Sequence, residues 1–433
     1  MAVQIVLEYV IAGAIRYLLM NSDYRKIITE RVEISTPLNA WERATEAAFI
    51  HDKHGIDPYT ADIFHDTPLN LEFYKLLLKV LPKYLPLIFV FIDLLTATFL
   101  YFTARAYMSN LKLIQIRDKA KYCKKSLPFL LKDDDFQSVP VFVLTAFLFN
   151  PFIILNCVAM TTTVLTNLFL GIIFYGICNK NYVLSYLFIA IATSQTLYPT
   201  FLIVPFAINI AQNHVTTYKK GITLATHFTI YGLVLFGILY LSYHISGSWN
   251  FLNNTFGFIL NVTDLRPNIG TTWYFFTEMF EHFRLLFIWS LQINVTILYL
   301  VPLSLKFRKD PLLLAFALTA LTTIFRTYPS IGDVGFYLSL LPTWKHLLPF
   351  MQQRFIICCI FLLTSVIGPV FWHLWIYSGA ANANFYFGVT LAFTVAQIFV
   401  LTDMLFAYIN RQYILKKGCL DQEDLKKYKL ILW

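Results

Sequence analysis

Long apolar segments separated by shorter polar ones make up most of this 433-residue chain. A helix that spans a membrane needs about 20 predominantly apolar residues. For 200–212 and 335–350, which are short or interrupted by proline, a re-entrant or half-spanning helix is the alternative to a full span. On this criterion the pattern predicts about twelve spans, each uncertain by a few residues at its ends: 3–20, 86–107, 138–160, 164–179, 182–198, 200–212, 222–245, 283–305, 311–325, 335–350, 355–377 and 386–410.

The composition is typical of a polytopic membrane protein. Hydrophobic residues make up 58% of the sequence, charged residues 14%, and the mean hydropathy is +0.60. Soluble globular chains have about 45–50% apolar and about 25% charged residues, so this surplus cannot be buried in one soluble core. A disordered chain, a disulfide-rich scaffold and an ordinary soluble enzyme are excluded. We therefore predict an all-α membrane protein that forms a single membrane domain over 1–433.

The basic residues indicate how the spans are oriented. The formal net charge is +9, and Lys and Arg concentrate in the cytosolic loops of membrane proteins. If the predicted spans alternate from a cytosolic N-terminus, the basic loop 108–137 and the basic tail 411–433 are cytosolic, and so are both termini. The loop 21–85 and the loop with amphipathic segment 246–282 then lie on the lumenal side. The charge thus reports topology, and nucleic acid is not a predicted partner.

Polar residues inside the predicted spans should face protein. Glu8 and Arg16 fall in the first span, which we predict to be retained and not cleaved as a signal peptide. Charged side chains are costly in lipid, so both should contact other helices. Asp93, His227 and His373 also fall in spans, where a functional role and a structural pairing between helices are both open.

The six cysteines predict neither disulfides nor a metal site. All of them fall in predicted spans or cytosolic segments, and the chain has no Cys-x-x-Cys pair or Cys/His spacing typical of zinc. No metal and no cofactor are therefore predicted. The sequons at Asn253 and Asn261 lie in a predicted lumenal loop, where glycosylation is open.

The first lumenal loop, 21–85, is the largest predicted soluble segment and is rich in acids and histidines. A solvated surface is the simplest interpretation of so many charges. Alternatively, its carboxylates bind a divalent cation or act as a general base in sugar transfer from a lipid phosphate. The loop lacks an Asp-x-Asp pair, which weighs against that chemistry.

An aromatic segment, 273–287, carries the first set of candidate binding residues. Tyr274 and Phe275 precede Glu278 and His282, which a continuous helix would place four residues apart on one face. An aromatic belt at the membrane interface explains the rings. The alternative is an amphipathic wall whose acids and histidine contact a lipid headgroup.

A second candidate segment, 377–386, joins the last two predicted spans. Its small and polar residues are typical of a tight turn that caps the next helix. Alternatively, the amides of Asn382 and Asn384, next to Phe385, offer donors and acceptors to phosphate or sugar hydroxyls without a charge cost. The turn that contains Asp333 falls near the same lumenal rim when the spans alternate.

Short motifs along the chain resemble two related families. Asp57-Pro58-Tyr59 and His65-Asp66-Thr67-Pro68-Leu69 resemble the first loop of ER mannosyltransferases that use dolichol-phosphate-mannose and have the GT-C fold. A closer likeness, in order along nearly the whole chain, is to the PIG-U family, subunit U of the GPI transamidase. The motifs that carry it are Leu197-Tyr198-Pro199, Pro267-Asn268-Ile269-Gly270, Trp273-Tyr274-Phe275-Phe276, Glu278-Met279-Phe280-Glu281-His282-Phe283, Gln292-Ile293-Asn294-Val295, Tyr328-Pro329-Ser330-Ile331-Gly332-Asp333-Val334, Trp372-His373-Leu374-Trp375-Ile376-Tyr377 and Ala381-Asn382-Ala383-Asn384-Phe385.

This resemblance implies a fold and a function. A PIG-U-like chain has a GT-C-like architecture and is a non-catalytic subunit of the ER membrane enzyme that joins a proprotein's new C-terminus to the ethanolamine of a GPI lipid. The implied partners are the GPI lipid and the other transamidase subunits, among them a caspase-like catalytic subunit. The predicted GPI-binding residues are then Asn382, Asn384, Phe385, Tyr274, Phe275, Glu278, His282 and Asp333.

An active mannosyltransferase that uses dolichol-phosphate-mannose is the alternative function. It requires a carboxylate base in the first lumenal loop, for which Glu33, Asp52 and Asp66 are the candidates. Where the related transferases have Asp-x-Asp, this loop reads Val32-Glu33-Ile34-Ser35, so metal-assisted sugar transfer is not expected. A lipid flippase would require inverted repeats, and the sequence has no clear repeat.

Overall fold

The structure is a computed structural model that describes residues 2–60, 63–212, 214 and 216–418. The part of the predicted basic tail beyond Gly418 lies outside these residues. Throughout the described ranges the regular secondary structure is helical, without a β-strand, as predicted. The chain divides into two compact units, one made of Met1–Leu100 and Leu144–Ser339, the other of Tyr101–Val143 and Leu340–Trp433.

The helices follow one another with short connections. Short 3-10 helices lie at Pro82–Tyr84, Lys119–Lys121, Lys124–Phe129, Tyr198–Leu202 and Leu341–Phe350, and π-helical turns at Asn253–Gly257 and Asn294–Leu298. The α-helices of the described residues are α1 (Ala2–Met20), α2 (Tyr24–Thr29), α3 (Trp41–His54), α4 (Pro68–Val80), α5 (Leu85–Asp118), α6 (Asp133–Leu148), α7 (Pro151–Val158), α8 (Thr163–Asn179), α9 (Tyr182–Gln195), α10 (Ile203–Ala211), α11 (Thr217–Ser246), α12 (Phe258–Asn261), α13 (Thr272–Thr277), α14 (Glu281–Ile293), α15 (Tyr299–Phe307), α16 (Pro311–Phe325), α17 (Ile331–Leu340), α18 (Arg354–Ile376) and α19 (Ala383–Lys417).

Every segment predicted to span the membrane contains helix, but only some of the helices are long. By length and composition, five of the described helices could cross a membrane: α1, the segment Pro82–Lys121 that includes α5, α11, α18 and α19. A sixth span results if Ser126–Leu148 and α7, which are bent by 47°, are counted together. The shorter apolar helices are α8, α9, α16 and the segment Tyr198–Ala211.

Apolar packing in the first unit centres on α16. Pro311 occupies the first turn, and the N-cap carboxylate of Asp310 accepts a hydrogen bond from the Leu313 amide at 3.1 Å, which fixes where the helix begins. Every residue from Leu312 to Ile324 is buried, and α8 and α10 pack against the helix. A helix that is apolar all round is expected in such a position.

The first predicted lumenal loop is folded in the first unit as α2, α3 and α4. The ring of Trp41 on α3 lies 5.4 Å from that of Tyr74 on α4 and 5.1 Å from that of Phe89 on α5. His65 and Asp66 are buried in the same region, at 3% and 6% exposure. A solvated surface is therefore the wrong interpretation for these two residues, because aromatic residues of the loop share a core with α5.

Glu8 and Arg16 face protein, as predicted. Arg16 donates through Nε to Asp93 of α5 at 2.6 Å, and through Nη1 to the Leu148 carbonyl at 2.9 Å. Glu8 accepts a hydrogen bond from the Thr145 hydroxyl at 2.7 Å. These partners replace the water that the charged groups lose, and Asp93 has the structural pairing that was one of its two predicted roles.

The second unit contains the hairpin of α18 and α19. Asp403 of α19 accepts backbone hydrogen bonds from Gln352 and Gln353, at 3.0 and 2.9 Å, directly before α18 begins. Trp344 donates its indole N–H to the Tyr107 hydroxyl at 3.1 Å. The backbone contacts of Gln352 and Gln353 fix the N-terminus of α18 against α19. The contact with Tyr107 gives the buried indole N–H of Trp344 a partner.

Candidate functional site

The segment predicted to form a lipid-facing wall is a broken helix in the first unit. α13 ends at Thr277 and α14 begins at Glu281, with Phe280 in an extended conformation (φ −63°, ψ 134°) between them. An extended residue interrupts the helical hydrogen-bond ladder. The prediction that Glu278 and His282 share one face of a continuous helix is therefore wrong, and each side chain is exposed on its own side of the break.

Two side chains anchor this segment to the rest of the first unit. The Thr272 hydroxyl, at the start of α13, donates to the Thr327 carbonyl at 3.1 Å. Arg284 of α14 donates to the Val262 carbonyl at 2.6 Å. The predicted site residues that remain partly or fully accessible here are Tyr274, Phe275, Glu278 and His282.

The turn between α18 and α19, in the second unit, has the geometry of a helix cap. Asn382 is the N-cap residue of α19, and its Oδ1 accepts a hydrogen bond from the Asn384 amide at 3.1 Å. Both asparagines are exposed, and the Phe385 ring is 52% exposed and lies 5.6 Å from that of Phe371. Capping uses one acceptor oxygen only, so the Asn382 side-chain NH₂ stays available to a ligand.

Asp333 lies in a buried ion pair in the first unit. Arg326, which follows the last turn of α16, donates through Nη1 to Asp333 Oδ1 at 2.5 Å. The backbone N–H and the hydroxyl of Ser330 donate to Asp333 Oδ2, at 3.0 and 2.9 Å. The guanidinium carbon of Arg326 lies 5.1 Å from the centre of the Tyr198 ring, a cation–π distance.

Two adjoining cavities of the first unit meet at this ion pair. Their empty space, about 430 and 340 Å³, includes the mouths open to solvent, so the enclosed part holds only a few water molecules. Arg326 and Asp333 line both cavities, together with Thr166 and Thr196. The first is otherwise mainly apolar, and the second is mainly polar, with Thr36, Asn39, Asp66, Gln195 and Tyr328 among its lining residues.

Asp66 borders the polar cavity and is held by three donors. The Thr67 amide and the Asn70 side chain donate to Oδ1 at 2.7 and 2.5 Å, and the Tyr74 hydroxyl donates to Oδ2 at 2.8 Å. Burial nevertheless raises the pKa of Asp66 to about 6, since desolvation outweighs the hydrogen bonds, which lower it. Gln195 extends the network by donating to the Tyr74 hydroxyl at 3.4 Å.

The other two candidate bases of the first loop are engaged elsewhere. Glu33 accepts two hydrogen bonds from Arg31, at 3.0 and 2.7 Å. Asp52 lies 2.9 Å from Lys75, whose hydrogen bond lowers the pKa of the carboxyl. Among the described residues, no group of three or more His, Cys, Asp or Glu side chains is arranged to hold a metal ion. Asp66 is thus the candidate that borders a cavity.

Sequence reasoning missed most of the residues that line the cavities. It singled out Asp333 but not its partner Arg326, although an isolated arginine in a predicted lumenal segment of few charges was a usable signal. Of the intramembrane histidines, His227 contacts the Tyr186 hydroxyl through Nδ1, a structural pairing. His373 is exposed and stacks on Tyr377, with ring centres 5.3 Å apart.

The helices and the buried polar cavity define an all-α membrane protein with an internal polar site. A sequence profile for the family described as GPI transamidase subunit PIG-U matches residues 10–393. GPI-anchor transamidase component PIGU of Homo sapiens is 36% identical over 427 residues, which cover 96% of each chain, and the Mus musculus protein of that name is also 36% identical over 427 residues. GPI transamidase component GAB1 of Saccharomyces cerevisiae is 28% identical over 389 residues, 89% of each chain. The chain belongs to the PIG-U family of GPI transamidase subunits.

Proposed function

We propose that the chain is a non-catalytic subunit of the GPI transamidase, which holds the GPI lipid and presents it to a caspase-like catalytic subunit. The observation that carries the proposal is the likeness, over 96% of the chain, to proteins named GPI-anchor transamidase component. Presentation acts through proximity, because a nucleophile already held at the reacting carbonyl avoids much of the entropic cost of the encounter.

Each unit offers its own candidate contact surface for the lipid. In the second unit the exposed amides of Asn382 and Asn384 hydrogen bond to the headgroup, with the half-exposed ring of Phe385 against its apolar part. In the first unit the charges next to the break between α13 and α14 meet the amines of the headgroup, and the rings meet the acyl chains. The residues proposed there are Tyr274, Phe275, Glu278 and His282.

The proposed setting is the ER membrane, with both termini in the cytosol. The long apolar helices and the bent pair are joined in this proposal by the shorter apolar helices, α8, α9, α16 and Tyr198–Ala211, and by the segments 283–305 and 335–350. Together they give about twelve spans in a GT-C-like arrangement. Short apolar helices that are buried among other helices need not match the full bilayer thickness. Their short length is therefore compatible with a position inside the membrane. The other transamidase subunits are the proposed protein partners.

Substitution of the two asparagines tests the proposed headgroup contact. In cells that depend on the variant chain, Asn382→Ala with Asn384→Ala should leave the complex assembled and let uncleaved proprotein accumulate. Immunoblots of proprotein and mature protein measure this, and co-purified subunits report assembly. Thr229→Ala, an exposed position on α11, is the control. Normal GPI attachment by the double variant would refute the assigned contact.

One observation favours a second function, an ER mannosyltransferase that uses dolichol-phosphate-mannose. Asp66 borders a cavity, and its pKa of about 6 suits a general base near neutral pH. Against this, three donors already occupy most of the carboxylate's acceptor capacity. Sugar transfer by the purified chain, lost in Asp66→Asn but kept in Glu33→Gln, would establish the transferase and remove the subunit proposal.

A further inference from the structure

The lining of the two cavities has spare hydrogen-bond donors. The Arg326 side chain is 9% exposed, and its five N–H groups have one carboxylate partner, Asp333. Its Nε is buried and makes no hydrogen bond within the described residues. A buried donor left without a partner costs about 1–3 kcal/mol, so such a group points to a ligand or an ordered water that completes it.

Hydroxyl groups from several segments of the chain line the same cavities as this arginine. Thr36 Oγ1, in the polar cavity, is buried and has no partner among the residues that the structure describes. Thr196 and Thr323 also line the cavities, and their hydroxyls make no hydrogen bond within the described ranges. A hydroxyl both donates and accepts, so this lining complements a group that does the same.

The acceptors of the lining are nearly saturated. Asp333 and Asp66 each accept three hydrogen bonds from their own neighbours, out of about four that a carboxylate can take. The lining therefore offers a ligand hydrogen-bond donors and hydroxyl groups, but few free lone pairs of carboxylate oxygens. This argues for a ligand rich in oxygen acceptors and against an ammonium group.

The charge of the lining distinguishes between phosphate and sugar, the two oxygen-rich groups of a glycolipid headgroup. The ionised groups of the lining are Arg326, Asp66 and Asp333, which sum to one negative charge when both carboxylates are ionised. A phosphate would add a second negative charge to a site of low dielectric, where like charges repel strongly. A sugar ring adds none, and its hydroxyls match the threonines.

We infer that the cavity at Arg326 and Asp333 binds the hydroxyl-bearing edge of a sugar ring from a lipid-linked glycan. The enclosed space admits a few hydroxyl groups, so the ring edge enters and the rest of the glycan stays at the mouth. The apolar wall of the first cavity, formed by Leu170, Leu202 and Leu318, gives the ring a face to pack against. This inference rests on the proposed function for its choice of glycolipid. It adds a third contact, separate from the two surfaces proposed at Asn382 and Asn384 and next to the break between α13 and α14.

Lipids retained by the purified complex test the inference. The complex is purified in digitonin through a tag on this chain, and the glycolipid in a solvent extract is measured per mole of chain by mass spectrometry. Thr323→Leu, which fills the cavity, should lower the glycolipid at least tenfold. Thr323→Val keeps the side-chain size and removes one hydroxyl, so a loss of about fivefold is expected. Thr229→Leu, exposed on α11, is the matched control and should retain all of it.

A second variant removes the Arg326 guanidinium without leaving a buried charge. Arg326→Gln with Asp333→Asn replaces the ion pair by two neutral amides, and it too should lose the glycolipid while the other subunits still co-purify. A large excess of methyl hexosides should displace glycolipid from the wild-type complex, and an equal excess of inorganic phosphate should not. Displacement by phosphate alone would overturn the choice of a sugar.

The outcomes separate this inference from the proposed function. Full retention of glycolipid by Thr323→Leu and by the neutral pair variant overturns the cavity as a binding site and leaves the transamidase proposal intact. In another outcome, the wild-type complex retains a dolichol-linked sugar, and not a GPI, which the cavity variants lose. That result supports the cavity as a binding site and contradicts the transamidase proposal. A wild-type complex that carries no lipid-linked glycan contradicts both.

Discussion

Arg16 of α1 and Asp93 of α5 form an ion pair, 2.6 Å from Nε to Oδ2, with both side chains fully buried. Seventy-seven residues separate the two in the sequence, so the pair connects α1 to the next long apolar helix, α5. Arg16 also donates to the Leu148 carbonyl, where α6 ends. Three segments of the first unit are therefore held together by one guanidinium.

Removing one partner of this ion pair should destabilise the protein more than removing both partners. Arg16→Met or Asp93→Leu leaves one uncompensated buried charge, which costs about 3–5 kcal/mol. The double variant leaves no charge and should recover most of that loss. Thermal unfolding of the digitonin-solubilised protein, followed for the two single variants and the double variant, measures the effect. Equal unfolding temperatures for the singles and the wild type would mean that the pair does not form.

Gly332, at the second position of α17, is predicted to be intolerant of a side chain. A Cβ at this position would collide with the side chain of Asn156, and one at Gly335 would lie 2.9 Å from Ile153 Cδ1. Gly332→Ala should therefore lower the unfolding temperature, since core overpacking costs about 1–3 kcal/mol.

Gly388 is the matched control for this substitution. It lies inside α19, and a Cβ there would meet nothing within 4 Å. Gly388→Ala should leave stability unchanged or raise it by up to about 1 kcal/mol, because alanine is the better helix former. An unfolding temperature that drops equally in both variants would contradict the close approach of α17 to Asn156.

The carboxyl of Asp66 should give the protein a specific pH dependence. Its pKa is about 6 in the folded protein against 3.8 for the free side chain, so the folded state holds the proton more tightly. The unfolding free energy should then fall as pH rises from about 4 to 6, by about 1.4 kcal/mol per pKa unit at most. Between pH 5 and 7 the loss is about 1.3 kcal/mol.

Asp66→Asn separates this contribution from the other titrating groups. The variant has no titratable carboxyl group at this position. Its unfolding temperature should therefore depend less on pH across this range than that of the wild type. The comparison uses the slope and not the absolute stability, because the amide cannot accept all three hydrogen bonds of the carboxylate. Parallel slopes for the two proteins would contradict the shifted pKa.

The cap of α19 should be separable from ligand binding at the same turn. Asn382→Ala removes the side-chain acceptor for the Asn384 amide and should cost about 0.5–2 kcal/mol of stability. Asn382→Ser keeps a capping oxygen and should restore stability, but it lacks the amide N–H proposed to contact the lipid. GPI attachment and unfolding temperature, measured for both variants, should therefore diverge in Asn382→Ser. Full GPI attachment by the serine variant would leave capping as the role of Asn382.

The apolar pattern predicted helix positions well because it is local information. Each long apolar run contains a helix, and the cost of burying charge correctly indicated that Arg16 would face protein. The pattern did not reveal the break at Phe280, since residues 273–287 are compatible with a continuous helix and the extended backbone depends on contacts such as that of Arg284 with Val262.

The cavity could not be predicted because its residues are distant in the sequence. Asp66, Gln195 and Arg326 come from three separate regions, and only tertiary packing of these regions brings them to one cavity. The same applies to the burial of Asp66, which depends on Tyr74 and on neighbouring aromatic rings. The local pattern suggested solvated side chains at His65 and Asp66, whereas tertiary contacts bury both.

Co-purification from digitonin tests directly whether the chain is a transamidase subunit that holds the GPI lipid. The tagged chain is isolated from membranes under mild conditions, and its partners and lipids are identified by mass spectrometry. As a non-catalytic subunit that presents the GPI lipid, it should bring down a caspase-like protein and the other transamidase subunits, together with GPI. A chain that purifies without any caspase-like protein would contradict the account.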